Sequence, residues 1–145
     1  MGLALAAFHN QDVPNGLGSR TEAEVAGVRA VFDTGATLPH PFDRSSKESI
    51  GPWLDAVPDA GRPVLTHGSP IVDAAVLVDS VVTFESAGTE GFDPPERDLA
   101  IIIRSIAETF TSEVARTFLD AYEEGGGQLP KVQALDWYGL LAACR

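Results

Sequence analysis

Apolar residues recur along this chain at two different periods, and the switches between them divide it into helical, strand-like and helical stretches. Leu3, Ala4, Ala7 and Phe8 form a short stripe at helical spacing that ends in the turn-rich segment 9–19. Thr21 and Glu24 have the spacing of a capping box and open a second helix through Val25, Val28 and Phe32, which stops before Gly35. Segment 33–44, with two prolines and a glycine, reads as an irregular loop. Ser45 and Glu48 repeat the capping spacing ahead of Ile50, Trp53, Leu54 and Val57, where Gly51-Pro52 argues against a regular helix.

In the middle the period shortens. Segments 63–66, 75–78 and 81–84 are short apolar or β-branched runs separated by Gly, Pro, Asp and Ser. The last two are joined only by Asp79-Ser80, which is hairpin spacing. Asp93 then stands as an expected N-cap before Pro94-Pro95-Glu96, and Leu99, Ile102, Ile103, Ile106, Ala107 and Phe110 share one helical face. Val114, Ala115, Phe118, Leu119 and Tyr122 make a further stripe, ended by three glycines, and Leu135, Trp137, Tyr138, Leu141 and Cys144 belong to a C-terminal helix. Helices, a small β cluster and more helices predict an α+β fold, mostly α-helical, in a single domain spanning 1–145.

Composition narrows the function classes. Ten Lys+Arg against 21 Asp+Glu give a formal net charge of −11, which repels phosphate backbones and anionic lipid and so argues against nucleic acid and membrane partners. A cationic small molecule or a basic protein surface is compatible with that field, and so is the plain reading that the acidity keeps the protein soluble. The longest apolar runs fall far short of the ~20 residues a membrane helix needs, and the N-terminus carries no basic leader. The single cysteine, Cys144, cannot form an internal disulfide and fits a reducing cytoplasm. His9, His40 and His67 are scattered, so no metal-ligand spacing is present, and no phosphate-binding glycine loop or nucleophile elbow occurs.

The chemistry-bearing stretch is 64–100. It contains His67-Gly68, Pro70, the hairpin 76–84, Glu85 and Pro94-Pro95-Glu96-Arg97-Asp98-Leu99. In this it resembles the catalytic segment of the aminoglycoside phosphotransferase family, especially its spectinomycin-type branch. There a strand leads into His-Gly-Asp, Pro-His-x-x-Asn, a hairpin ending in Ile-Asp-Phe-Glu and a Pro-Pro-Glu-Arg-Asp-Leu helix start. Gly2–His9 is similar to a family helix, and 118–122 and 137–141 share the family's ending. The resemblance covers nearly the whole chain and implies a protein-kinase-like C-lobe with a small β-hairpin cluster. It also implies that the β-rich N-lobe and its lysine lie outside these 145 residues; a start within a longer chain is the alternative.

At the positions that carry the family's reaction, this chain departs from it. The resemblance puts Ser69 where the family has its proton-accepting acid, Ala74 at the metal-binding asparagine and Thr83 at the Mg²⁺-holding aspartate. Phosphoryl transfer rests on charge neutralisation by Mg²⁺ and a carboxylate that orients the nucleophile. Neutral hydroxyls and a methyl group supply neither. The expectation is a degenerate, pseudoenzyme-like site without ATP or Mg²⁺, in which His67, Asp73 and Glu85 are the residual catalytic candidates. His67 is read first as a scaffold residue and Asp98 as one that bonds a loop or caps its helix. Trp53, Asp43 and Asp55 are weak substrate-binding candidates, because the family's substrate site lies among C-lobe helices and carries acidic and aromatic groups.

Three functions remain open. One is a non-catalytic module that binds a small molecule or partner protein. The second is a repurposed enzyme of small-molecule or natural-product metabolism using ATP-independent acid–base chemistry, and the third a residual phosphotransferase whose N-lobe is missing. Leu3, Phe8, Val76, Val78 and Val82 are expected to form an exposed apolar patch, hence a homo-oligomer.

Overall fold

The computed structural model describes residues 1–38, 42–85 and 88–144. Six α-helices, α1 (Gly2–His9), α2 (Thr21–Asp33), α3 (Lys47–Asp55), α4 (Glu96–Thr109), α5 (Ser112–Glu124) and α6 (Val132–Ala143), surround two small antiparallel sheets. Strand β1 (Val64–Thr66) pairs with β4 (Gly91–Asp93), and β2 (Ala75–Val78) pairs with β3 (Val81–Phe84). None of these helices is long and apolar enough to cross a membrane. The α+β, mostly helical architecture expected from the two periods is the one observed.

Helix α4 is central because its apolar stripe serves two cores at once. Leu99, Ile102 and Ile106 pack with Leu5, Ala6, Ala115, Phe118 and Tyr122, joining α1, α4 and α5. Ala100, on the adjacent face, packs with Val28, Leu54, Trp137, Tyr138 and Leu141, joining α2, α3 and α6. The α1–α5 contact is close: a Cβ on Gly2 would lie 2.3 Å from the Phe118 carbonyl oxygen, so only glycine permits this approach.

Several local expectations are corrected. Thr21 and Glu24 form no capping box; α2 begins without a side-chain cap, and both residues are drawn instead to charged groups on or beside α4. The box before α3 is Ser46 with Ser49, one residue later than Ser45 and Glu48. Helix α3 accommodates Pro52 and ends before Val57, which is exposed. Asp93 is not an N-cap but a residue of β4, and Phe110 lies past the end of α4 and is exposed. The Asp79-Ser80 hairpin is present, with both residues at positive φ (48° and 67°) as a tight two-residue turn requires. His40 lies outside the described residues.

Candidate functional site

The loop after β1 is held from below by the first turn of α4. Asp98, fully buried, accepts the backbone N–H of His67 at 2.6 Å with one carboxylate oxygen and that of Gly68 at 2.8 Å with the other. The His9 ring on α1 donates its Nε2–H to the same carboxylate at 3.1 Å, and its Nδ1 accepts the Tyr122 hydroxyl at 2.7 Å. Asp98 therefore does not cap its own helix. It ties the His67 loop, α1 and α5 together, and the role of His9 in this relay was invisible in the sequence because its partners are 89 and 113 residues away.

The neighbours of Asp98 complete the anchor. Glu96, also fully buried, accepts the N–H groups of Gly61 at 3.0 Å and Lys131 at 3.2 Å. Arg97 donates to Glu24 at 2.6 Å and to Thr66 at 3.3 Å, while Asp93 accepts from Ser19 at 2.5 Å and Thr21 at 2.9 Å. Burial works against the charged guanidinium of Arg97. The hydrogen bond to Glu24 and the fields of Glu24, Asp93 and Asp98 outweigh it, so its pKa is raised. Buried charges of this kind are tolerated only when paired, and among the described residues no buried side-chain polar atom is left without a partner.

His67 is fully buried between Phe8 and Phe84. Its Nε2 lies 2.5 Å from the Glu85 carbonyl oxygen, so that nitrogen carries the proton, and its Nδ1 accepts the Ser69 N–H at 3.3 Å. Both ring nitrogens are occupied by backbone, which is the geometry of a scaffold histidine.

Ser69 is half-buried, Ala74 is half-buried in the short 3₁₀ turn Val72–Ala74, and Thr83 is exposed on β3 opposite Val76. Asp73 and Glu85 are exposed; what Glu85 gives His67 is its backbone carbonyl. Ser69, Ala74 and Thr83 offer two hydroxyls and a methyl group, which do not fit a nucleotide-bound Mg²⁺, a hard cation that wants carboxylate oxygens. Among the described residues no group of three or more His, Cys, Asp or Glu is placed to hold a metal.

Trp53, Asp43 and Asp55 are not brought to one place. Asp55 pairs with Arg29 across α2 and α3. Trp53 packs its ring against Phe42 (centroids 6.3 Å apart) and accepts the Trp137 indole N–H on its carbonyl at 3.2 Å. Phe42, next to Asp43, also lines a groove of about 470 Å³ between α4 and α6, together with Ile103, Arg104, Glu108, Leu135 and Asp136. Glu108 and Asp136 had no sequence signal beyond lying on exposed helix faces.

No protein-family model matches the sequence, and no curated protein matches it. Solved structures do. An aminoglycoside-3'-phosphotransferase of type VIII superposes with a TM-score of 0.75 over 99% of this chain and 60% of its own, at 23% identity. The fold is that of aminoglycoside phosphotransferases. The phosphotransferase APH(3'')-Id from Streptomyces rimosus, solved with ADP and streptomycin, matches with a TM-score of 0.72 and 20% identity over 99% of this chain and 60% of its own. A macrolide 2'-phosphotransferase type I matches at 0.64 and 19%, over 99% of this chain and 49% of its own. The chain thus spans about 60% of the length of the aminoglycoside phosphotransferases it matches, and the six helices and two small sheets among its described residues form a kinase-like C-lobe.

The helical core also gives a clean optical signature. The chain has two tyrosines, Tyr122 and Tyr138, both buried. Burial, then the fields of Asp98 and Glu96, pushes the Tyr122 hydroxyl well above its ordinary 10.0. Burial, reinforced by Asp93, Glu96 and Glu24 against a hydrogen bond with Thr21, raises Tyr138 as well. In the unfolded chain both ionise near 10, so above that pH the native state holds more protons and stability falls as pH rises. A spectrophotometric titration is expected to show no phenolate band in the folded protein near pH 10, and its appearance only with unfolding at higher pH.

Proposed function

We propose that this chain is a phosphotransferase-fold module that binds a cationic small molecule without transferring phosphate. One observation carries the reading. The scaffold of the His67 loop is complete, with Asp98 on two amides and both His67 nitrogens satisfied, while the three positions assigned to the reaction hold Ser69, Ala74 and Thr83. The framework is in place, while these three positions hold no group that would neutralise or orient a phosphoryl group.

The ligand site in this reading is the groove between α4 and α6. Its volume of about 470 Å³ suits a small molecule, and its lining combines apolar groups (Phe42, Ala100, Ile103, Leu135) with Glu108 and Asp136. Arg104 sits 2.8 Å from Glu108 and would be displaced by, or compete with, an incoming cation. A net charge of −11 steers such a ligand inward. The repurposed-enzyme reading draws no support from the geometry, since the Glu85 carboxylate does not meet the buried His67 ring.

A thermal-shift panel of aminocyclitol cations, beginning with streptomycin, tests the site, because any ligand of the native state raises the melting temperature by mass action. At least one cation is expected to do so without nucleotide or Mg²⁺, with an apparent affinity about tenfold weaker in Asp136→Asn/Glu108→Gln. No response across the panel, or an equal response in the variant, refutes it.

A further inference from the structure

We propose that Asp136 is the charge anchor of a two-armed binding site, which takes an elongated amine with one arm on each side of its ammonium group. The inference rests on the cation-binding reading of the α4–α6 groove and extends that groove into a second hollow. The hollow, about 340 Å³, lies between α3 and α6 and is lined by Trp53, Ala56, Pro58, Gln133, Asp136 and Trp137. Asp136 lines the groove as well, so the two meet at that residue. The Phe42 ring of the groove packs on the Trp53 ring of the hollow, with centroids 6.3 Å apart, and the pair makes one aromatic wall shared by both.

Charge fixes where the ammonium sits. The neighbouring acids are matched within the chain: Glu108 by Arg104 at 2.8 Å, Asp59 by Lys131 and Asp55 by Arg29. Asp136 is exposed, and among the described residues its carboxylate makes no hydrogen bond or ion pair. It is the anion left for a cation from outside. The hollow between α1 and β3 has no charged lining; of the residues expected to be bare there, Leu3 and Val78 are exposed, while Phe8, Val76 and Val82 are half-buried.

An ion pair at an exposed carboxylate contributes little, because water screens it. Affinity therefore comes from the two arms. On the α4 side, Ala100, Ile103 and Leu135 suit an alkyl chain. On the α3 side, half-buried Trp53 and Pro58 suit a flat ring. Joining the arms through the nitrogen makes the second contact intramolecular, which strengthens binding without any new group. An alkyl–aryl secondary amine has this shape.

N-benzylhexylamine, compared with its halves hexylamine and benzylamine, tests the site by thermal shift and tryptophan emission. The chain has two tryptophans, Trp53 and Trp137; both line the α3–α6 hollow and neither lines the groove, so emission reports the hollow. The linked amine is expected to bind at least about tenfold tighter than either half and to change the emission. Hexylamine is expected to raise the melting temperature and leave the emission unchanged. Ala56→Phe, at an exposed position that lines the hollow and not the groove, is expected to reduce the linked amine to the affinity of hexylamine without altering hexylamine itself. Asp136→Asn is expected to weaken the linked amine a few-fold, as loss of an exposed ion pair does. Circular dichroism confirms that each variant is folded. Hexylamine binding with no gain from the benzyl arm, or a linked amine indifferent to Ala56→Phe or to Asp136→Asn, overturns the two-armed site and leaves the groove reading standing. Silence from all three amines also overturns it, and the groove reading then stands or falls on the aminocyclitol panel.

Discussion

Replacing Asp98 by alanine is expected to destabilise the fold by about 3–5 kcal/mol. The carboxylate is fully buried and accepts three hydrogen bonds, from the amides of His67 and Gly68 and from the His9 ring. Truncation strands all three donors away from water, at roughly 1–3 kcal/mol each before relaxation. Water entering the space left behind recovers part of that. Since a domain of this size has about 5–15 kcal/mol in hand, the variant is expected to be marginal at room temperature. Asp98→Asn keeps the shape and one good acceptor but turns an NH₂ toward a donor, so its loss should be smaller. Urea denaturation followed by circular dichroism ranks the three proteins; an Asp98→Ala variant within about 1 kcal/mol of the unmodified chain means the loop is held by something else.

The second large effect is at Gly68. It has φ +86°, where a side chain is strained, and a Cβ built there lies 2.0 Å from the Thr89 carbonyl oxygen. The obstacle is backbone, so no rotamer change relieves it. The segment is also pinned from both sides, because Thr89 donates its hydroxyl to the His67 carbonyl at 3.1 Å and Asp98 holds the Gly68 amide. Left-handed backbone costs a non-glycine residue roughly 1–2 kcal/mol. With displacement of the loop, Gly68→Ala is expected to lose about 2–4 kcal/mol in the same denaturation series. Gly88→Ala is the control. It has φ +66° with open space around it, so it carries the backbone strain without the collision.

Segments whose order comes from local geometry were legible: the α4 stripe, and a hairpin whose two-residue Asp79-Ser80 turn fixes its register. Strand β4 was not, because Gly91-Phe92-Asp93 has one apolar residue and exists as a strand only through pairing with β1. Thr21 and Glu24 misled for a related reason. Their spacing satisfies a local rule, but Asp93 and Arg97 are buried charges whose demand for partners outweighs a helix cap worth about 1 kcal/mol. The reading of His67 as a scaffold residue came from the resemblance, whereas the groove that joins Phe42 to Asp136 depends on packing between residues 94 positions apart and leaves no periodic trace.

We propose that this phosphotransferase-fold chain works without nucleotide chemistry, because Ser69, Ala74 and Thr83 stand where the resemblance puts the acid and the metal ligands. Restoring Thr83→Asp alone is not expected to rescue activity, since Ser69 and Ala74 still lack the acid and the metal-binding amide. The most direct measurement is calorimetric titration of ATP into the chain with and without Mg²⁺. No metal-dependent heat is expected up to millimolar nucleotide; Mg²⁺-dependent ATP binding at micromolar affinity contradicts the proposal.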